Sequence, residues 1–112
     1  MERYTLERGG VPLGVVTRGV WDGHQGSWHD WGWLEPAPGS EAALALLAAE
    51  CRLHDEAAQL DLGGSDPAGP LAEAARLQAE FMGPGVVLVP LGDGARWVLH
   101  ELHTEGERVF WR

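Results

Sequence analysis

Trp33-Leu34-Glu35-Pro36-Ala37-Pro38-Gly39-Ser40-Glu41-Ala42-Ala43-Leu44-Ala45-Leu46-Leu47 is where the chain changes its periodicity. Before it, apolar and polar residues alternate, as in Arg3-Tyr4-Thr5-Leu6-Glu7-Arg8, the mark of half-buried strands. After it, the apolar repeat lengthens to that of a helix. Two prolines and a glycine end the last strand of the first block. Ser40 is expected to cap a helix, with Glu41 placed at the positive end of its dipole. Strands, then helices, then strands again is the order of an α+β fold.

Working toward the N-terminus, Gly9-Gly10 predicts a tight turn between a strand over 3–8 and a second over 11–20. A third strand is expected over 28–34. Toward the C-terminus, the first helix is predicted over 41–60. Leu44, Leu46, Leu47, Cys51, Leu53, His54, Ala57, Ala58 and Leu60 form its apolar arc, and Glu41, Arg52, Asp55, Glu56 and Gln59 its polar one. Gly63-Gly64 ends it. A second helix starts at Asp66-Pro67 or at Leu71, turns Leu71, Ala74, Ala75, Gln78, Phe81 and Met82 inward, and stops at Gly83-Pro84. Strands over 86–91, 95–103 and 108–111 follow, separated by Gly92-Asp93-Gly94 and Glu105-Gly106. The predicted order is βββααβββ, an antiparallel sheet with two helices packed on one face, in a single domain over residues 1–112.

The glycine-containing opening hairpin, the strand ending in Trp33-Leu34-Glu35-Pro36-Ala37-Pro38, the two helices and the closing Gly92-Asp93-Gly94 hairpin resemble a group of uncharacterised small bacterial α+β proteins. The resemblance implies the fold. It carries no established activity, so no site residue follows from it.

The 112 residues include 17 acidic and 8 basic ones, a net charge of −9. That balance argues against nucleic acid and anionic membrane surfaces as partners, and for a protein partner, preferably a basic one. Lysine, isoleucine and asparagine are absent, while Ala, Gly, Arg, Pro and Trp abound. This codon bias points to a GC-rich bacterial or phage genome. Cys51 is the only cysteine, so no intrachain disulfide forms. The first residues lack a signal-peptide pattern and the apolar runs are too short to span a bilayer, so the cytoplasm is the expected location.

Four of the six tryptophans and two of the five histidines fall within residues 21–33. Trp21, His24, Trp28, His29, Asp30, Trp31 and Trp33 are therefore the candidate binding residues. Strand alternation puts His29, Trp31 and Trp33 on one face, and Trp28, Asp30 and Leu34 on the other. Tryptophan buries a large area and keeps one donor, which suits a recognition surface. The competing expectation is that the helices cover one face and the remaining tryptophans cap the sheet edge.

Glu50-Cys51-x-x-His54 puts a carboxylate, a thiol and an imidazole on one side of the first helix. Cys51 and His54 make half a zinc site, with His24, His29, His100 or His103 to complete it. The metal candidates are His24, His29, His54 and His103; the simpler reading is a buried thiol beside a His–Glu hydrogen bond. His100-Glu101-Leu102-His103 lacks metalloprotease spacing, and a strand would send its two histidines to opposite faces. Ser27, Ser40 and Ser65 sit in no nucleophile elbow, and Gly63-Gly64-Ser65-Asp66 is not a phosphate loop.

The sequence thus reads as a non-catalytic protein-interaction domain of the accessory, antitoxin or immunity type, anchored by Trp28, Trp31 and Trp33, with no cofactor implied. The alternative is a small-molecule or metal-binding pocket of His24, His29 and Asp30 with His54 or His103. A homodimer is also expected, because an open six-stranded sheet has two edges to cover and Phe110 and Trp111 lie beside the C-terminus.

Overall fold

A computed structural model describes residues 2–20 and 30–112. Its elements are β1 (Arg3–Arg8), β2 (Val11–Arg18), β3 (Asp30–Pro36), α1 (Glu41–Leu62), α2 (Ala68–Met82), β4 (Val86–Pro90), β5 (Trp97–Val98), β6 (Leu102–Glu105) and β7 (Arg108–Trp111). The strands form one antiparallel sheet in the order β5-β4-β1-β2-β3-β7-β6. This is the expected α+β architecture with one strand more than the predicted six. Trp21, His24, Trp28 and His29 lie outside the described residues.

The added strand comes from residues 95–103, read from sequence as one strand. Leu99 and Leu102 are both buried, although they stand three residues apart. Alternation of period 2 cannot turn both inward, so the chain breaks between them. The Leu99 N–H donates to the Val86 carbonyl at 2.9 Å, on the β4 side. The His100 N–H donates to the Arg112 carbonyl at 2.7 Å, on the β7 side. The stretch 97–105 therefore ties one edge of the sheet to the other and curls it around its contents.

Those contents are the inward side chains of the strands. Tyr4, Leu6, Leu13, Val16, Val86, Leu88, Leu99, Leu102, Val109 and Trp111 form one cluster, joined by Leu47 of α1 and Phe81 of α2. The helices thus serve the concave face, as expected. The inward stripe of α2 is Ala74, Leu77 and Phe81, whereas Leu71 and Ala75 are exposed. On α1 the buried residues are Leu47, Glu50 and Ala57, one of them a carboxylate.

Ser40 precedes α1 but does not cap it with its side chain. Its hydroxyl donates to the Ala37 carbonyl at 2.6 Å, which fixes the turn after β3. Pro67 occupies the cap position of α2, and Asp66 just before it accepts from the Ala68 N–H through Oδ1 at 2.9 Å. The free edge of β6 is covered by Gln78 of α2. Its amide donates to the Leu102 carbonyl at 2.8 Å and accepts from the Leu102 N–H at 3.0 Å, as another strand would. β5 and β6 remain the two ends of the sheet; Gln78 takes up both backbone groups of Leu102 on β6, and Val98 on β5 is exposed. Trp111 is 1% exposed inside its own chain's core, so it offers nothing to a mate.

Candidate functional site

Trp31 and Trp33 lie on the convex face of the sheet, as their shared alternation requires. Their rings meet edge to face at 5.4 Å. Trp33 is 45% exposed, and Phe110 stands opposite Trp31 on β7. The Arg108 guanidinium lies 5.9 Å from the Trp33 ring and 5.6 Å from that of Phe110. By pairing register, Val15, Val87, Val89 and Val98 share this outer face, and Val98 is 67% exposed. Polar side chains interrupt it: Thr17 and Arg3 stand in register with Trp33, Glu35 and Thr5 flank Val15, and Glu7 lies opposite Val87. The helices cover the opposite, concave face, where their buried Leu47 and Phe81 join the core.

Trp31 is seated by Gly19. An added Cβ at Gly19 would fall inside contact distance of the indole carbons, so only glycine lets the ring lie over the end of β2. The indole N–H donates to the Val20 carbonyl at 3.2 Å. Gly19→Ala is expected to displace the Trp31 ring, shift its fluorescence and cost about 1–2 kcal/mol, read by emission spectra and urea unfolding. An unchanged spectrum and midpoint would contradict this seating.

Asp30 points the other way, into the curl, and does not partner Trp31 and Trp33. Arg18 donates to it at 3.0 Å and to Glu2 at 2.8 Å, with the guanidinium 4.9 Å from the Trp97 ring. The hydrogen bond from Arg18 holds the Glu2 carboxyl below its usual range. Tyr4, Arg18 and Trp97 border an open hollow of about 650 Å³ at this mouth, but the Arg18 charge is already matched by Glu2 and Asp30. Asp30 lines a separate small recess with Trp97 and Trp111 and does not join His54 or His103.

A second cluster lies between α1, α2 and β6. Glu50 is 1% exposed, and its Oε1 contacts His103 Nδ1 at 2.8 Å. Its Oε2 accepts from the Gln78 amide. His103 Nε2 lies 3.6 Å from Glu101 Oε1, and Glu101 is paired with Arg112. Hydrogen bonding to Glu50, against the opposing cost of burial, raises the His103 pKa. His54 stands edge-on to His103, ring centroids 6.1 Å apart. One ligand atom each from Glu50, His54 and His103 lie within 4.8 Å of one another. These residues line a hollow of about 360 Å³ with Leu71, Ala74, Ala75, Gln78 and Met82.

His100 and His103 line this same hollow, which corrects the opposite-face expectation; the break at residues 100–101 resets the alternation. Cys51 is not part of the cluster, and burial pushes its thiol pKa up, away from the reactive thiolate. Glu50, Gln78 and Glu101 are the residues that sequence reasoning undervalued. The available signal was a glutamate on the apolar side of α1, one turn before His54.

No protein-family model, no curated protein and no solved structure matches the chain. Among the described residues no helix is long and apolar enough to cross a membrane.

Proposed function

We propose that this protein is a non-catalytic, cytoplasmic interaction domain of the accessory, antitoxin or immunity type, which docks a basic protein on the convex face of its sheet. The observation that carries the reading is the outward pair Trp31 and Trp33, with Phe110 beside them on β7. An exposed aromatic group of this kind is a recognised mark of protein contact. Aromatic anchors beside an arginine are the residue types in which interface energy concentrates. The net charge of −9 favours a positively charged partner and speeds its encounter. The same charge opposes a second copy, since two such chains repel. We also propose that the chain belongs with the uncharacterised bacterial α+β proteins it resembles, on the strength of the shared strand–helix–strand order.

The test is affinity capture from lysate of the source cells, followed by mass spectrometry. It compares the parent protein with Trp31→Ala/Trp33→Ala and with Leu62→Ser, a control at an 81% exposed helix position. The expected outcome is one basic protein retained by the parent and by Leu62→Ser, and depleted at least tenfold with the double variant. Retention by all three folded proteins contradicts the reading. So does a stable dimer in light scattering that the double variant dissolves, which would assign the face to self-association.

A further inference from the structure

We propose that Glu50, His54 and His103 form a binding site for one divalent transition-metal ion, with Zn²⁺ as the ion they suit. The donor set is two imidazole nitrogens and one carboxylate oxygen, borderline ligands that match zinc. Their candidate atoms already lie within 4.8 Å of one another. Tetrahedral ligands at zinc–nitrogen distances of about 2.0–2.1 Å stand roughly 3.3 Å apart, so Glu50 and His103, now 2.8 Å apart, part slightly while His54 closes by at most about 1.5 Å. His54 is exposed on α1 and has the freedom to make that movement.

The remainder of the site is rigid. Glu50 is fully buried and aimed at the two histidines, with its second oxygen held by Gln78. Gln78 is itself fixed at both ends of its amide by the backbone of Leu102. Glu101 lies beside His103 and is paired with Arg112. Such outer partners orient ligands and tune their basicity. The metal would take the place of the proton shared by Glu50 and His103, and its positive charge would be met by Glu50 and Glu101. The hollow lined by Leu71, Ala74, Ala75 and Met82 leaves a further coordination position open to water.

A simple structural pair accounts for less. Glu50 and His103 satisfy each other without a second imidazole, yet His54 faces them and makes no side-chain hydrogen bond among the described residues. Among the described residues the site does not draw on Cys51.

The experiment is calorimetric titration of ZnCl₂ into untagged, EDTA-stripped protein, with elemental analysis of the product. The expected result is one zinc per chain at micromolar or tighter affinity, weakened at least tenfold by His54→Ala and unchanged by His24→Ala/His29→Ala. Zinc-free His54→Ala should unfold at the parent's midpoint, which separates lost binding from lost folding. Absence of saturable uptake overturns the proposal. Uptake indifferent to His54→Ala, or abolished by His24→Ala/His29→Ala, overturns it equally.

Discussion

Trp111→Ala is expected to lower the unfolding free energy by about 4 kcal/mol, at the upper end of single-residue effects in a domain of this size. Trp111 is the largest fully buried side chain among the described residues, and its ring packs 5.9 Å from that of Trp97 at the closure of the sheet. Truncation empties a space at the junction of β7, β5 and the crossing stretch 97–105, where the backbone bonds that curl the sheet leave little room to collapse. Trp111→Phe should cost much less than Trp111→Ala. The indole N–H is buried with no hydrogen-bond partner among the described residues, so phenylalanine sheds an unsatisfied donor while keeping most of the ring. Urea unfolding of both variants checks the order. Equal losses would mean that the indole N–H is satisfied or the pocket relaxes.

Glu50→Ala is expected to cost about 3–5 kcal/mol, because it strips a buried network of its acceptor. The His103 Nδ1 and the Gln78 amide both lose a partner in one substitution. Gln78 also holds the edge of β6, so loosening it should expose Leu102 to hydrogen exchange. The pH dependence of the metal-free protein follows from the same pair. Glu50 raises the folded His103 pKa above its unfolded value. The contribution is therefore complete below the unfolded value of about 6.5 and fades as pH rises through the raised folded value. The unfolding free energy of the parent should fall over that interval, and the slope should flatten in His103→Gln. A slope of opposite sign, or one that survives in His103→Gln, would reject this assignment.

The sequence and the structure agree where the determinants are local. The Gly9-Gly10 turn and the Gly83-Pro84 stop depend on backbone preferences of a few residues and stand where predicted, while β3 runs two residues past its predicted end, to Pro36. Alternation along β3 likewise placed Trp31 with Trp33 and Asp30 with Leu34. Which face is convex depended on how the sheet curls, and that depends on bonds between residues such as Leu99 and Val86. The stretch 95–103 misled because its composition suits a strand throughout, while its bend serves two edges that alternation within the segment cannot reveal. Glu50 illustrates the same limit in the site. Its burial is made tolerable by Gln78, 28 residues on, and His103, 53 residues on. Neither partner can be assigned from helix periodicity.

The most direct test of the convex face is site-specific photocrosslinking in the source cells. A benzoylphenylalanine side chain replaces Trp33 in one strain and Leu62 in another. The prediction is one discrete adduct to a basic protein from position 33, and none of that mass from position 62. Irradiation that yields no adduct at position 33, an adduct only to a second copy of the chain, or the same adduct from both positions would contradict the proposed interaction surface.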